Sequence, residues 1–340
     1  IRQIGDEHFR VRSSGIASPQ ARSSRAEKNE LYFKAGSCVF FSGPPQVKFE
    51  MVLKIRSEGI DVKTSCKVLE VSRSGYYAWA ERSESLRSIE NRKITHEISQ
   101  IHAESRGTYG VPRVEVKLRA EGYNCSRGRV ERLMKKARLS GVARKKYSVK
   151  TTDSNHPHPI AERVFQVEEP ATFPDAPNEV WVGDITYVPT DEGWLYLTTQ
   201  MDVFTRKVVG YAMTDHMRTE AVLEALKMAI LGQRLGPESC LVSHSDQGSQ
   251  YAAEAYREQL KMLGITASMS RRGNCYDNAY AESFFHTLKV ELIHRHRFKT
   301  RAEATAAIFE YIEVWYNRRR IHSSLGYKAP MEYERSALLA

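Results

Sequence analysis

The chain is short of cysteine. Five occur in 340 residues, Cys38, Cys66, Cys125, Cys240 and Cys275. They lie far apart, with no C-x-x-C pair and none set beside histidine at zinc spacing, which excludes a disulfide framework and a structural zinc module. Long apolar runs are also missing. No stretch approaches the ~20 residues needed to cross a bilayer, and "CVFF" (38–41) is too short for a signal segment and ends at "SGPP". The expectation is a cytoplasmic protein without membrane contact. Acidic charge is scarce in one half only: residues 1–150 carry 31 Lys and Arg against 16 Asp and Glu, whereas residues 151–340 carry 20 against 25. A basic half joined to a mildly acidic one points to a polyanion-binding module attached to something else.

Residues 1–47 begin with Ile, hold no sustained period and are rich in Ser, Arg, Gly and Pro. They read as disordered or as read-through from upstream sequence, with Met51 as a candidate native start. Residues 48–82 change texture. "KFEMVLKIRSEG", "VKTSCKVLEV" and "SRSGYYAWAER" carry apolar residues three to four apart, with Ser72 as an N-cap. Short helices joined by a tight turn predict a helix-turn-helix, and Ser72, Arg73 and Tyr76 would then face DNA. Residues 83–150 form a second basic helical module. Its last helix follows Ser126 and displays Arg127, Arg129, Arg132, Lys135, Lys136 and Arg138, a face suited to phosphate or to water. Residues 151–178 read as a linker, since "TTDSNHPHPIAERVFQVEEPATFPDAPNEV" holds five prolines and no period.

From about 179 to 335 the pattern is α/β. "VWVGDITYVPT", "WLYLTTQMDVFT" and "KVVGYAMTDH" read as three strands joined by tight turns. A helix, the short strand "SCLVSHSD", a second helix, the strand "TASMS" and a third helix follow. The order βββαβαβα is that of a ribonuclease-H-like core, a mixed five-stranded sheet flanked by helices. In that order the first strand is central and the fourth lies beside it.

Three acids occupy positions where acids cost something. Asp184 lies inside the first strand among Val180, Val182, Ile185 and Tyr187, Asp246 directly follows "LVSHS", and Glu282 opens the third helix beside Phe284, Phe285 and Leu288. Converging anions at the edge of a core repel one another and lose solvation. A hard divalent cation with oxygen ligands removes that cost. The spacing strengthens the reading: 35 residues separate Asp246 from Glu282, and Lys289 follows Glu282 by two helical turns. Two such ions about 4 Å apart activate an attacking oxygen and stabilise a leaving one at phosphorus, so no Ser, Tyr or Cys nucleophile is needed. Tyr109 and Tyr187 are then packing residues. His244 and Gln247 flank Asp246 and either orient it or serve the local turn. Asp277 and Asn278 are candidate helix caps, and Arg271 and Arg272 candidate grips on a DNA backbone. After a long helix over 301–317, "YNRRRIHSSLGYKAP" offers Arg318, Arg319, Arg320 and His322 to DNA.

"VWVGDITYV", "LVSHSDQGSQY", "SRRGNCYDNAYAESFFHTLKVEL" and "YNRRRIHSSLGYKAPMEYE", with "VSRSGYYAW" and "GTYGVPRV" upstream, resemble the second-frame transposases of bacterial two-frame insertion sequences. Those belong to the retroviral integrase superfamily with its DD(35)E core. The resemblance runs from about residue 50 to 335. It implies Asp184, Asp246 and Glu282 as ligands of two Mg²⁺ or Mn²⁺ ions and Lys289 as a contact to terminal DNA. It also implies strand cleavage and 3′-OH strand transfer at terminal inverted repeats and target DNA, a homo-oligomer on DNA, and a first-frame partner or fusion product. Arg73, Arg129, Arg132, Lys136 and Arg318 complete the expected DNA contacts. The rival reading is a catalytically silent, sequence-specific DNA-binding regulator derived from such an enzyme, against which three intact, mutually repelling acids argue.

Overall fold

The computed structural model of the chain describes residues 43–142, 157–167, 169–235, 239–271 and 278–339. Residues 1–42, with most of the stretch expected to be disordered, lie outside them. The chain divides into two compact units, Ile1–Ile89 and Glu90–Ala340.

Among the described residues the first unit holds three short helices, α1 (Pro45–Ser57), α2 (Val62–Val68) and α3 (Arg73–Ala80). Its core is Val52, Ile55, Cys66, Leu69 and Tyr76. Each later helix starts on a side-chain cap. Asp61 accepts from the amides of Lys63 and Thr64, and Ser72 Oγ accepts from the amide of Gly75 at 3.0 Å. Gly75 is there for closeness, because a Cβ would sit 2.6 Å from Ser72 Oγ and 3.2 Å from Phe49. Tyr76, expected at the DNA, is instead fully buried. It falls on the inward side of α3, where its ring meets Phe49 and Trp79. Arg73 stays exposed on the same helix.

The second unit begins within α4 (Leu86–Glu104), the helix that contains the boundary, and continues through α5 (Val111–Ala120) and α6 (Arg127–Lys136). The sheet follows: β1 (Val180–Thr190), β2 (Gly193–Asp202), β3 (Val208–Thr214), β4 (Val242–Ser245) and β5 (Thr266–Met269), in the spatial order β3-β2-β1-β4-β5. β1, β2 and β3 form an antiparallel meander, and β4 and β5 add in parallel beside β1. The expected βββαβαβα order with a central first strand is what the chain adopts.

The period-two alternation of the strands divides two cores. On one face Trp181 and Val209 pack with α7 (Thr219–Gln233), α8 (Ser249–Ala252) and α9 (Glu254–Met262) through Val222, Leu226, Tyr251 and Tyr256. On the other, Val182, Val188, Leu195 and Leu197 pack under α10 (Ala279–Glu291) and α11 (Arg301–Glu310), and α12 (Pro330–Leu338) closes the described chain. The helices α4, α5 and α6 share this second cluster through residues such as Ile98, Val114 and Val130, as does Tyr109 between α4 and α5. Tyr109 leans on Trp315 with ring centroids 5.7 Å apart, and its hydroxyl accepts the amide of Ile321 at 2.9 Å.

Close backbone approach fixes α7 on the sheet. A Cβ at Gly210 in β3 would collide with the carbonyl oxygen of Ala225 and lie 2.7 Å from the amide nitrogen of Ala229. Gly210→Ala is therefore expected to cost roughly 1–3 kcal/mol of overpacking; a urea midpoint equal to that of the parent chain would contradict this contact.

Two expected features differ. The helix read as continuous over 301–317 ends at Glu310 and widens into a π-helical turn, Tyr311–Tyr316. The wider turn directs Tyr311, Ile312, Trp315 and Tyr316 all into the core. Part of the expected linker is packed: the amides of Val164 and Phe165 both donate to Ser268 Oγ in β5, at 3.0 and 3.1 Å, and Phe165 is buried edge-on to His244. Among the described residues no helix is long and apolar enough to cross a membrane.

Candidate active site

The parallel ladder sets the first two acids side by side. Val182 pairs with His244 and Gly183 with Ser245, so the next step along both strands brings Asp184 and Asp246 to the same face of the sheet. Asp184 is still inside β1, whereas Asp246 is the first residue past β4. Each carboxylate is steadied by nearby backbone: Asp184 Oδ1 accepts the amide of Ile185 at 2.8 Å, and Asp246 Oδ1 accepts that of Gly248 at 3.0 Å. Glu282 lies in the first turn of α10, which buries Ala281, Phe284, Phe285 and Leu288 against the sheet and leaves Glu282 exposed on its flank. Lys289, two turns on, holds its ammonium 5.4 Å from the ring centre of Tyr187.

Charge ties these side chains together. Burial, then the charge of Asp246, and further that of Glu282, push the Asp184 carboxyl well above the usual range, against the Ile185 amide and Lys289. Burial and then Asp246 raise Glu282 as well. Burial lowers the Lys289 ammonium, with Asp184 opposing. Among the described residues no group of three or more His, Cys, Asp or Glu is gathered closely enough to hold a metal ion. The structure sets the two aspartates one residue past the last β1–β4 pair and places the third acid within their field. The donor set, all carboxylate oxygen with an unrelieved excess of negative charge, fits a hard divalent cation.

One participant escaped the sequence reading. Gly183 precedes Asp184 in mid-strand, and a Cβ there would stand 3.0 Å from a Tyr251 ring carbon, 3.2 Å from its Oη and 3.0 Å from Gln200 Nε2. The Tyr251 phenol therefore lies directly against the backbone behind Asp184. Burial, then the charges of Asp184, Tyr256 and Asp246, raise its hydroxyl well above the usual range. An isolated glycine inside a strand is the signal that could have found it.

Neighbours of the acids also take structural roles. His244 is buried and bonds Ser268 Oγ through Nδ1 at 2.9 Å, and Gln247 donates to the Ser270 carbonyl. The first bond ties β4 to β5 and the second ties the residues that follow each strand. Asn278 occupies the N-cap position of α10 without capping it; its amide group points to the Gly183 carbonyl at 3.5 Å. Asp277 and Arg272 lie outside the described residues, and Arg271 is exposed two residues past β5.

Residues 174–275 and 282–338 match the integrase core domain family, and residues 88–147 match an HTH-like domain. A protein of insertion element IS600 from Shigella sonnei, described as an uncharacterized 31 kDa protein, is 45% identical over 269 residues, 79% of this chain and 96% of that one. Transposase InsF for insertion sequence IS3A of Escherichia coli (strain K12) is 37% identical over 294 residues, 86% of this chain and 100% of that one. The chain belongs to the transposase family of IS3-type insertion sequences. A third relative, the transposase for insertion sequence element IS904 of Lactococcus lactis subsp. lactis (strain IL1403), is 40% identical over 258 residues, 75% of this chain and 98% of that one. The protein is thus a DNA-binding DNA transposase, a polynucleotidyl transferase with an integrase catalytic core.

The transposase distributes its candidate DNA contacts unevenly. Arg132 and Lys136 on α6 are exposed, as are Arg318 and Arg319 after the π-helical turn. Arg129 is engaged within the protein, forking onto the Glu90 carboxylate at 2.8 and 3.1 Å and donating to Asn91 Oδ1. Arg320 and His322, expected to face DNA, do not. Arg320 is 4% exposed and donates three bonds of 2.8 to 3.0 Å to Glu291, which is 7% exposed and also accepts from Tyr311 Oη and Trp315 Nε1. His322 packs edge-on against Tyr316. Burial, and then Arg320, Arg113 and Arg206, hold its imidazole down to about 2, so it stays neutral at physiological pH.

Proposed function

We propose that Asp184, Asp246 and Glu282 are the catalytic ligands of divalent metal, Mg²⁺ or Mn²⁺ in a pair, in an enzyme that nicks DNA at the ends of its element and joins the freed 3′-OH to a new strand. The observation that carries this reading is the pairing of Gly183 with Ser245, which sets Asp184 and Asp246 at the end of the ladder, where burial and then the charges of Asp246 and Glu282 push the Asp184 carboxyl upward. When bound, such ions neutralise this charge, activate the attacking oxygen and stabilise the leaving one.

The chain's own residues do the rest. Strand β1 holds Asp184 and the end of β4 launches Asp246, so both carboxylates are positioned by a packed sheet. Glu282 approaches from the helix opposite. Lys289, beside Asp184, offers a cation to the phosphate next to the reacting one. Lys136, Arg132, Arg271, Arg272 and Arg318 contact the DNA backbone, together with Arg73 in the first unit. Arg129 joins them only by exchanging Glu90 for phosphate. The short unit 43–89 and the helices of 90–142 recognise the terminal inverted repeats. Holding two ends at once calls for a homo-oligomer on DNA, joined by a first-frame product or fused to it, at work on cytoplasmic DNA.

The test is a duplex carrying the end of the native element, incubated with the protein and Mg²⁺ or Mn²⁺. Metal contributes several kcal/mol to such transition states, so Asp246→Asn is expected to slow nicking by on the order of 10³-fold or more. Equal cleavage by the variant would refute the assignment. Tight binding without chemistry under either metal would leave the DNA-binding regulator as the better reading.

A further inference from the structure

The β1–β2 hairpin outruns the rest of the sheet. β4 pairs with β1 only over Val180–Gly183, so among the described residues β1 runs on from Asp184 with β2 on one side and a free edge on the other, until Thr190 bridges to Phe298. In that extension Tyr187 opposes Tyr196 and Pro189 opposes Trp194. By alternation these side chains share the face away from Asp184. The rings of Tyr187 and Trp194 meet edge to face, with centroids 4.8 Å apart and planes at 76°.

Trp194 is 48% exposed, whereas Trp181 and Trp315 are buried. The surface it forms is braced. Arg301 donates from Nε to the Trp194 carbonyl at 3.0 Å and from its amide to Glu192 at 2.8 Å, while the Asp191 amide donates to the Phe298 carbonyl at 3.0 Å. Around the free edge of β1, Lys289 connects the two faces, with its ammonium over the Tyr187 ring and within the field of Asp184.

We infer that Tyr187 and Trp194 form a stacking platform for one unpaired nucleobase of the DNA end, adjacent to the phosphate held at the acids. The inference rests on the function proposed above. Three features select this occupant. Every base offers a flat π face that the exposed Trp194 indole, backed edge-on by the half-buried Tyr187 phenol, can bind without reading sequence. The platform is flanked by cations, Lys289 on one side and Arg301 on the other, which complement a phosphate backbone. And it stands only three residues along β1 from Asp184, about 10 Å at the usual strand rise, so a strand whose phosphate meets the acids can lay a neighbouring base over the edge.

The probe is a short duplex ending in a few unpaired nucleotides that include 2-aminopurine, compared with the same duplex blunt. Both are titrated in Ca²⁺ with full-length protein, Trp194→Ala and Trp194→Phe. The wild type is expected to prefer the forked probe and quench its 2-aminopurine. Trp194→Ala loses that preference by about tenfold, within the range of one base–aromatic stack, and keeps its affinity for the blunt duplex; Trp194→Phe retains most of the preference. A Trp194→Ala protein that matches wild type on both probes, or a wild type without preference or quenching, overturns the platform. Fork binding through Trp194 with no cleavage under Mg²⁺ or Mn²⁺ would uphold the platform while removing the catalytic reading. Cleavage by a wild type that shows no Trp194 dependence would do the reverse.

Discussion

Replacing Asp184 by asparagine is expected to make the metal-free protein more stable and catalytically inert. The physical cause is the same for both effects. Burial and the charges of Asp246 and Glu282 raise the Asp184 carboxyl well above the usual range. A group whose folded pKa exceeds its unfolded value contributes stability that is fully present below the ordinary carboxylate range and is lost as pH rises through the raised value. Above that raised value the fold therefore carries an unfavourable carboxylate. Asparagine keeps the shape and the oxygen that accepts the Ile185 amide, but removes the charge. A relief of about 1 kcal/mol would raise Tm by roughly 2–4 °C for a unit of this size. The difference between the two proteins should shrink as pH falls, once the wild-type carboxyl is protonated. Divalent metal should stabilise the wild type and not the variant, because binding only to the folded state adds stability by mass action. Thermal melts across pH, with and without Mn²⁺, measure all three effects. A variant less stable than wild type at neutral pH without metal would count against a strained acidic cluster.

Arg320→Ala is expected to be the most damaging single change outside the acids. It leaves Glu291 buried among Tyr311 and Trp315 with no opposing charge. Breaking a buried pair from one side costs about 3–5 kcal/mol, whereas replacing both members by apolar groups is often close to neutral. The double variant Glu291→Met/Arg320→Met should accordingly recover most of the loss. The pair also sets an acid limit. Burial alone would raise the Glu291 carboxyl, but the Arg320 charge and its hydrogen bonds outweigh it and hold the carboxyl below its usual value. For such a group the stability is present above the ordinary carboxylate range and is lost as pH falls through the lowered folded value. Urea unfolding at neutral and acid pH measures this. An Arg320→Ala protein as stable as its parent would show that the network carries no load.

How much of this was legible in the sequence depends on the range of the interaction involved. Strands declare themselves locally, through alternation of Val182, Asp184 and Thr186 with Trp181, Gly183 and Ile185, and an acid within such a run is visible as an anomaly. The helix caps at Asp61 and Ser72 are equally local, and Ser72 was legible for that reason. The misreadings concern side chains whose surroundings come from elsewhere in the chain. Arg320 sits in a basic run that looks like surface, yet its partner Glu291 lies 29 residues earlier on another helix. Tyr76 reads as a DNA contact because helix-turn-helix geometry exposes the start of a second helix; packing against Phe49 and Trp79 decides otherwise. The π-helical turn answers the need to bury Tyr311, Ile312, Trp315 and Tyr316 together, which no regular period announces. Tyr251 could be placed behind Asp184 only once the register of β1 and β4 was known.

Mn²⁺ binding, read by electron paramagnetic resonance on the wild type and on Asp184→Asn, Asp246→Asn and Glu282→Gln, tests most directly whether the three carboxylates act as one metal site. Each substitution is expected to weaken binding by more than the roughly 10- to 100-fold typical of losing an outer-shell partner. Glu282→Gln binding Mn²⁺ as tightly as the wild type would contradict the site, because the third ligand would then contribute nothing.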